Sequence, residues 1–450
     1  MPDLLAAERV HLVGIGGSGM SALASLLLQM GKQVSGSDIQ IGGSAQQLQT
    51  LGATVYAGHA AEHIGGADLV VRSAAVPADN VEVAEAHKRG VPTHKLAEAV
   101  AGLIRGRVCV AVAGTHGKTT TTTLVSAFLQ AGGLDPLALI GADSPGFPLG
   151  ARAGDGPMVI EADEYDRRFL EYWPEVAVVT SIEADHLDYF RDLDEIRAVF
   201  QELVERLPHR GRLVACADEP WAASMRTDAE RATYGFADDA DWQLSAYTAH
   251  AAGSRFTLSS DGRSWEVESP LLGMYNACNA AAAIAVADYF GVGLRTCLAA
   301  LEAFEGPRRR FETKGEPRGI RIVDDYAHHP SEVAAVLEAA RAAAAGEVWI
   351  VFQPHTTNRT FSLLDDFSKA FGAAQHVLVL PIYKPSGREA AAREVTSADL
   401  VQRLGGDARA VAGFDEAMAA IAGGARAGDL VLTVGAGDVT RLSDLLVERL

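Results

Sequence analysis

The chain has 450 residues, of which 48% are hydrophobic and 22% charged, with a formal net charge of −19. That length exceeds one ordinary core, and the composition excludes a disordered chain, so a folded protein of two or three domains is expected. The acidic balance argues against a general nucleic-acid or anionic-membrane binder, while a local cluster of Lys and Arg could still receive an anionic small substrate.

In chain order, the opening MPDLLAAERVHLVGIGG lacks a basic leader and cleavage site. No segment supplies the roughly 18 apolar residues of a membrane helix, and a cytoplasmic protein is expected. Strand-like runs then alternate with helical patterns, which reads as α/β with mostly parallel sheets. Residues 9–15 (strand), 18–30 (helix) and 33–37 (strand) open a βαβ unit, followed by strands at 53–56 and 68–72 and a helix at 96–103. An apolar strand at 108–113 runs into GTHGKT and a helix beginning near Thr120. Residues 242–248, 254–260 and 264–268 alternate as antiparallel strands, with a Ser-Asp-Gly turn at 260–262. After the basic hinge GPRRRF (306–311), strands at 320–323, 348–352, 377–380 and 430–434 continue βα-wise. Three domains are expected, over 1–106, 107–309 and 310–450. The four cysteines, Cys109, Cys216, Cys278 and Cys297, form no C-x-x-C pair, so neither a zinc site nor a disulfide frame is expected.

The motifs lie where such sheets carry chemistry. VGIGGSGMSALA (13–24) sets Gly14, Gly16, Gly17 and Gly19 between strand and helix, and Asp38 ends the next strand. By pattern this is a dinucleotide fingerprint with its ribose acid, which keeps a nicotinamide-dependent dehydrogenase open; a tight ligand-free βα turn is the plainer reading. Gly114-Thr115-His116-Gly117-Lys118-Thr119 aims backbone amides and a helix N-terminus at an anion. The common loop G-x-x-x-x-G-K-[ST] would begin with glycine at Val112, so the match is partial. Lys118 would reach nucleotide phosphates and the Thr119 hydroxyl a Mg²⁺ ion. Glu161, Asp163, Glu164 and Asp166 follow one strand, and Glu183, Asp185, His186 and Asp188 follow the next. Acids at strand carboxyl ends suit a metal nucleotide, although exposed acidic loops are common in an acidic protein. Asn276 and Asn279, Arg308-Arg309-Arg310, His328-His329 and FQPHTTNRT (352–360) each have bland readings as caps, hinge or helix entry.

Together, GIGGSGMSALA, AGTHGKTTTT, EADE, SIEADHLD, NACNAAAA, RRRFE, DDYAHHPSEV, FQPH..NRT and VGAGDV resemble, in order and spacing, the Mur ligase family of peptidoglycan synthesis. The resemblance covers essentially the whole chain. It implies an N-terminal Rossmann-like domain for a UDP-sugar and a central P-loop ATPase with a mostly parallel sheet plus a small antiparallel one. A C-terminal Rossmann-like domain for the amino acid would follow. It further implies an ATP- and Mg²⁺-dependent ligase that joins L-alanine to the lactyl carboxylate of UDP-N-acetylmuramate through an acyl phosphate. By this resemblance Gly16, Gly17, Ser18, Gly19, Asp38, His59, Ser73 and His116 serve the UDP-sugar. Gly114, Thr115, Gly117, Lys118, Thr119, Thr120, Asn276, Asn279, Arg310, Asp325 and Tyr326 serve ATP. Thr119, Glu161 and His186 hold Mg²⁺, while His328, His355 and Arg359 line the amino-acid end. Lys118, His186, Arg310 and His328 are the catalytic candidates, and a monomer or homodimer without membrane insertion is expected.

There are departures. Tyr275 stands where the family often has His, Thr357-Asn358 replace an aromatic, and Tyr165-Asp166-Arg167-Arg168 replace an E-S-D form. The stretch 196–201 offers no lysine for carbamoylation, which fits the alanine-adding branch. A sibling that attaches a preformed peptide during wall recycling remains the nearest alternative. A folylpolyglutamate-synthase-like ligase and a non-catalytic UDP-sugar sensor are more distant ones.

Overall fold

The computed structural model describes residues 4–187, 189–384 and 395–450; Asp188, one of the acidic candidates, lies outside the described residues. The first elements are β1 (Arg9–Val13), α1 (Ser18–Gln29), β2 (Gln33–Asp38), α2 (Gly43–Thr50), β3 (Thr54–Ala57), β4 (Leu69–Arg72), α3 (Val81–Arg89), β5 (Thr93–Lys95) and α4 (Leu96–Ile104). Next come β6 (Cys109–Ala113), α5 (Lys118–Ala131), β7 (Leu137–Leu139), β8 (Ala151–Arg152), β9 (Met158–Glu161), β10 (Val176–Val179), α6 (Leu193–Val204), β11 (Arg212–Cys216), α7 (Pro220–Ser224) and β12 (Glu230–Gly235). Then follow β13 (Trp242–His250), β14 (Gly253–Ser260), β15 (Arg263–Ser269), α8 (Met274–Tyr289), α9 (Leu294–Glu302), β16 (Glu312–Gly315), β17 (Arg321–Asp325), α10 (Pro330–Ala343) and β18 (Val348–Phe352). The last are α11 (Thr357–Ser362), α12 (Leu364–Ala370), β19 (His376–Val379), α13 (Ser397–Leu404), β20 (Arg409–Ala410), α14 (Phe414–Gly424), β21 (Leu430–Val434) and α15 (Thr440–Arg449).

These elements pack as two compact units. The first comprises Met1–Asp185, Asp192–Gln243 and Asn279–Glu305; the second comprises His186–Arg191, Leu244–Cys278 and Gly306–Leu450. The first unit opens with a parallel sheet in the order β3-β2-β1-β4-β5, the arrangement the opening fingerprint predicts. Its second sheet runs β12-β11-β10-β6-β9-β7-β8, so β6, which leads into the lysine loop, is flanked by β10 and β9. The carboxyl ends of these three parallel strands therefore present GTHGKT, Glu161 and Glu183 along one rim. Helix α1 ties the two sheets together: Ser25 Oγ donates to the Pro148 carbonyl (2.9 Å) and Gln29 Nε2 to that of Ala151 (3.1 Å). Every residue of β6 and β10 is buried, as a strand covered on both faces requires.

In the second unit, β14 and β15 pair antiparallel from Ser254↔Ser269 to Ser260↔Arg263, so the turn is Asp261-Gly262. The main sheet has the order β16-β17-β21-β18-β19-β20. It is parallel except for β16, and β21 is inserted between β17 and β18. Alternation along β18 places Val348, Ile350 and Phe352 in one core with Val333, Leu337, Phe367 and Leu400. Trp349 and Val351 fall in a second core with Ala417, Ile421, Leu442 and Leu446. Both faces are thus covered by helices. Among the described residues no helix is long and apolar enough to cross a membrane.

Candidate active site

The glycine loop after β1 is tied to β2. The amides of Gly14 and Ile15 donate to the Ser37 carbonyl (2.8 and 3.0 Å), and that of Gly16 donates to Asp38 Oδ2 (2.9 Å). Gly17 caps α1 in an extended conformation without a side-chain cap, which leaves first-turn amides from Ser18 onward available to an anion. A Cβ on Gly19 would lie 2.9 Å from Leu96 Cδ2, so this glycine serves close helix packing. Ser73 follows β4 beside Gly14, and His59 follows β3, where the Gly58 amide donates to the Asp38 carbonyl (2.7 Å). All the residues assigned to the UDP end except His116 therefore share the carboxyl rim of the first sheet.

His116 sits instead in the lysine loop. Its amide donates to Ser181 Oγ (3.1 Å), its carbonyl accepts from Thr180 Oγ1 (2.5 Å), and its Nε2 lies 3.5 Å from Glu183 Oε2. Thr115 Oγ1 accepts the Glu183 amide (2.8 Å), which closes the loop onto the end of β10. Gly114 has φ +141, and a Cβ there would lie 1.9 Å from Thr180 Oγ1. Gly117 (φ +79) caps α5 and faces Asn279 Oδ1, which also accepts from Thr121 Oγ1 at 3.1 Å.

Helix α5 starts at Lys118, two residues before the expected Thr120. Thr119 and Thr120 are buried in its first turn, and Thr122 and Thr123 donate back to the carbonyls of Lys118 and Thr119 (both 2.8 Å). Lys118 Nζ reaches the Gly114 carbonyl (2.5 Å), the Thr115 carbonyl (3.2 Å) and Glu164 Oε2 (3.0 Å). Burial would lower its pKa, but the charges of Glu164, Asp163 and Glu161 outweigh that and hold it well above the usual lysine value. The loop thus carries a fixed cation pointed at its own backbone carbonyls. Glu161 ends β9, where its Oε2 accepts the Gly141 amide (2.7 Å). Oxygen donors of this kind at a strand end are the ligand chemistry Mg²⁺ takes.

The remaining assigned residues lie in the second unit. His186 has φ +53, and its carbonyl accepts the amides of Tyr189 and Phe190 (2.8 and 2.9 Å). Asn276 Nδ2 donates to the Leu272 carbonyl (2.7 Å) and is buried in the first turn of α8. Asp325 ends β17, with its two oxygens accepting the amides of Phe311 and Ala327 (2.7 Å each). The guanidinium carbons of Arg309 and Arg310 lie 4.9 and 5.0 Å from the Tyr326 ring centroid, a cation–π arrangement that keeps this basic segment over β17. His328 and His329 bring their amides to Glu332 Oε2 (3.0 and 3.2 Å) at the start of α10. The His328 ring is 5.9 Å from that of His355, whose Nδ1 accepts from Arg359 (3.3 Å) and whose ring stacks on Tyr383. Thr356, between them, has φ +64 and ψ 141, a strained conformation for a β-branched residue, and caps α11.

Burial pushes the Asp325 carboxyl up to about 6, against the opposing pull of Arg310 and the two amides. A carboxyl whose folded value exceeds its unfolded one favours the fold below the unfolded pKa, and that stability is lost as pH rises through the folded pKa. Stability of the second unit is therefore expected to fall by about 3 kcal/mol between roughly pH 4 and 6 through this group. Urea unfolding of Asp325→Asn across that range should show the slope reduced.

In the sequence Glu164 belongs to an acidic group suited to a metal nucleotide, whereas in the structure it is the side chain that pairs with Lys118. Thr180 and Ser181 brace the loop through His116, and neither they nor Glu82 stand out as functional residues from the sequence. The motifs EADE and SIEADHLD contain Glu164 and Ser181, whereas nothing local marks Thr180 or Glu82.

Residues 9–107 match the Mur ligase catalytic-domain family, residues 112–287 the Mur ligase middle domain, and residues 309–437 the Mur ligase glutamate ligase domain. A UDP-N-acetylmuramate–L-alanine ligase of Acidobacterium capsulatum is 41% identical, covering 99% of this chain and 98% of its own. One of Kineococcus radiotolerans is 44% identical, covering 98% and 97%. The crystal structure of the UDP-N-acetylmuramate-alanine ligase of Thermotoga maritima superposes with a TM-score of 0.84 at 30% identity over 98% of both chains. That of a murein peptide ligase from Psychrobacter arcticus gives 0.74 at 27%, again over 98% of both. With three family segments in register along the chain and relatives above 40% identity over nearly its whole length, this protein belongs to the Mur ligase family.

Proposed function

We propose that the chain is an ATP-dependent ligase that joins L-alanine to the lactyl carboxylate of UDP-N-acetylmuramate. The observation that carries this reading is the end-to-end similarity, at 41% and 44% identity, to ligases of that specificity. Residues 1–106 take the UDP-sugar, 107–309 take ATP, and 310–450 take the amino acid; the three family segments support those limits. The uridine end lies at Asp38, His59 and Ser73, with the pyrophosphate over the amides of Gly16, Gly17, Ser18 and Gly19.

A carboxylate does not acylate an amine, because attack would have to expel oxide. Transfer of the γ-phosphoryl group to the carboxylate gives an acyl phosphate; attack of the alanine nitrogen on the acyl carbon then expels phosphate. The first step brings two anions together, and Lys118 and Arg310 lower that repulsion and stabilise the charge that spreads in the transition state. Thr119 and Glu161 suit one Mg²⁺ ion and His186 is assigned to a second; Mg²⁺ neutralises phosphate charge when bound. The ammonium of alanine must lose a proton before attack, and His186 and His328 are the candidate acceptors. His355 and Arg359 form the amino-acid end.

Phosphate release with UDP-N-acetylmuramate and ATP should be measured with L-alanine, glycine, L-serine and a wall tripeptide, each supplied separately. Turnover with L-alanine is expected. Turnover with the tripeptide alone would assign the chain to the peptide-attaching sibling instead.

A further inference from the structure

Outside the phosphate machinery, one carboxylate in the first unit is buried among imidazoles. Glu82, in the first turn of α3, is 0% exposed. Its Oε1 receives His63 Nδ1 (2.8 Å) and the Ala60 amide (3.4 Å). Its Oε2 receives Ser37 Oγ (2.5 Å) and His59 Nδ1 (3.1 Å) and faces His11 Nε2 at 3.8 Å. Groups from β1, β2 and the segment after β3 thus converge on one side chain of α3. Burial alone would raise this carboxyl, but His11, Ser37 and His63 outweigh it and hold it at about 2, so it is an acceptor at any working pH.

The protons can be placed from this geometry. Ser37 has one hydroxyl proton, and the short contact to Glu82 takes it. The Ser37 oxygen, 2.9 Å from His59 Nδ1, is then left with lone pairs only. His59 Nδ1 therefore faces two acceptors and must carry hydrogen, so the neutral ring presents Nε2 as an acceptor. The Ser37 carbonyl meanwhile holds the amides of Gly14 and Ile15, so the same node braces the glycine loop.

We propose that Glu82 is a positioning residue for UDP recognition, fixing His59 in the Nδ1–H tautomer so that Nε2 accepts a hydrogen bond from the N3–H of the uracil ring. This rests on the reading that places His59 at the uridine. It assigns a source of base selectivity, because cytosine has a lone pair at N3 and would meet another lone pair. A site built for a donor rejects the analogue that lacks it.

The test uses the full-length protein. Glu82→Gln keeps shape but replaces one acceptor oxygen with an NH₂ group, so two Nδ1–H groups and a hydroxyl can no longer all find an acceptor. The KM for UDP-N-acetylmuramate is expected to rise about tenfold, with kcat and the KM values for ATP and L-alanine within about twofold. UDP should compete with the sugar nucleotide at least about tenfold better than CDP in the natural protein, and that ratio should shrink in Glu82→Gln. Long-range ¹H–¹⁵N spectra of ¹⁵N-histidine protein should show an unprotonated Nε2 at His59 in the natural chain. A protonated Nε2 there overturns the proposal, whether or not the variant folds. His59→Ala with a raised KM beside Glu82→Gln with an unchanged one overturns the role of Glu82 alone. His59→Ala with an unchanged KM removes His59 from the uridine, and the inference with it.

Discussion

Lys118→Met is expected to lose turnover by a factor of about a thousand or more, since no other group in the loop can supply a fixed cation to the phosphates. The same change has a structural cost. Glu164 is buried, and it loses the ammonium 3.0 Å away. Removing one partner of a buried ion pair typically costs about 3–5 kcal/mol, more than the net worth of the pair itself. The double variant Lys118→Met/Glu164→Gln should therefore recover much of the lost stability while recovering none of the activity. Steady-state phosphate release and urea unfolding together check this. A single variant within tenfold of the natural rate would remove Lys118 from the chemistry.

Gly114→Ala is the second large effect. A methyl group there meets Thr180 Oγ1 at 1.9 Å and the Ser181 amide at 3.0 Å, in a backbone conformation that side chains rarely adopt. Strain and overpacking each cost about 1–3 kcal/mol, so a loss of roughly 2–6 kcal/mol is expected. Activity should fall further than stability, because Thr180 also holds the His116 carbonyl and Gly114 supplies a carbonyl to Lys118. A Gly114→Ala/Thr180→Ala protein removes the hydroxyl contact but neither the tight Ser181 amide nor the φ penalty, and partial recovery of the unfolding midpoint is the expected result. Unchanged stability in the single variant would mean that the loop relaxes freely.

What could be read in advance follows from where the chemistry sits. Parallel sheets place ligands at strand carboxyl ends, so glycines and acids just after apolar runs point to the loops at 14–19, 114–119 and 161–164. The missing glycine at Val112 was no obstacle, because Val112 is a buried residue inside β6, paired with Val178 and Glu161, and the loop only turns at Gly114. The helix start was misjudged by two residues because a threonine run has weak helix propensity, whereas Gly117 as cap fixes the start at Lys118. Glu82 was invisible for a different reason. An acid in the first turn of VEVAEAHKR already has an ordinary explanation in the helix dipole, and its partners lie 19 to 71 residues away. Long-range pairing of that kind leaves no local spacing to detect. The position of β21 between β17 and β18 was likewise hidden, since LVLTV reads as a buried strand without stating its neighbours.

That last feature bears on how the protein is made. Strands β17 and β18 never pair with each other; each pairs with β21, about a hundred residues downstream of the first. During synthesis, Arg321–Asp325 and the apolar Val348–Phe352 therefore emerge with the edge meant for β21 unpaired, and it stays so until Leu430–Val434 arrives to fill the gap. Exposed hydrophobic edges are what chaperones recognise and what aggregates nucleate from. Ribosome-stalled chains ending before residue 430 should be far more protease-sensitive in this segment than chains extending past it, whereas the sheet of β1 to β5 should already be protected.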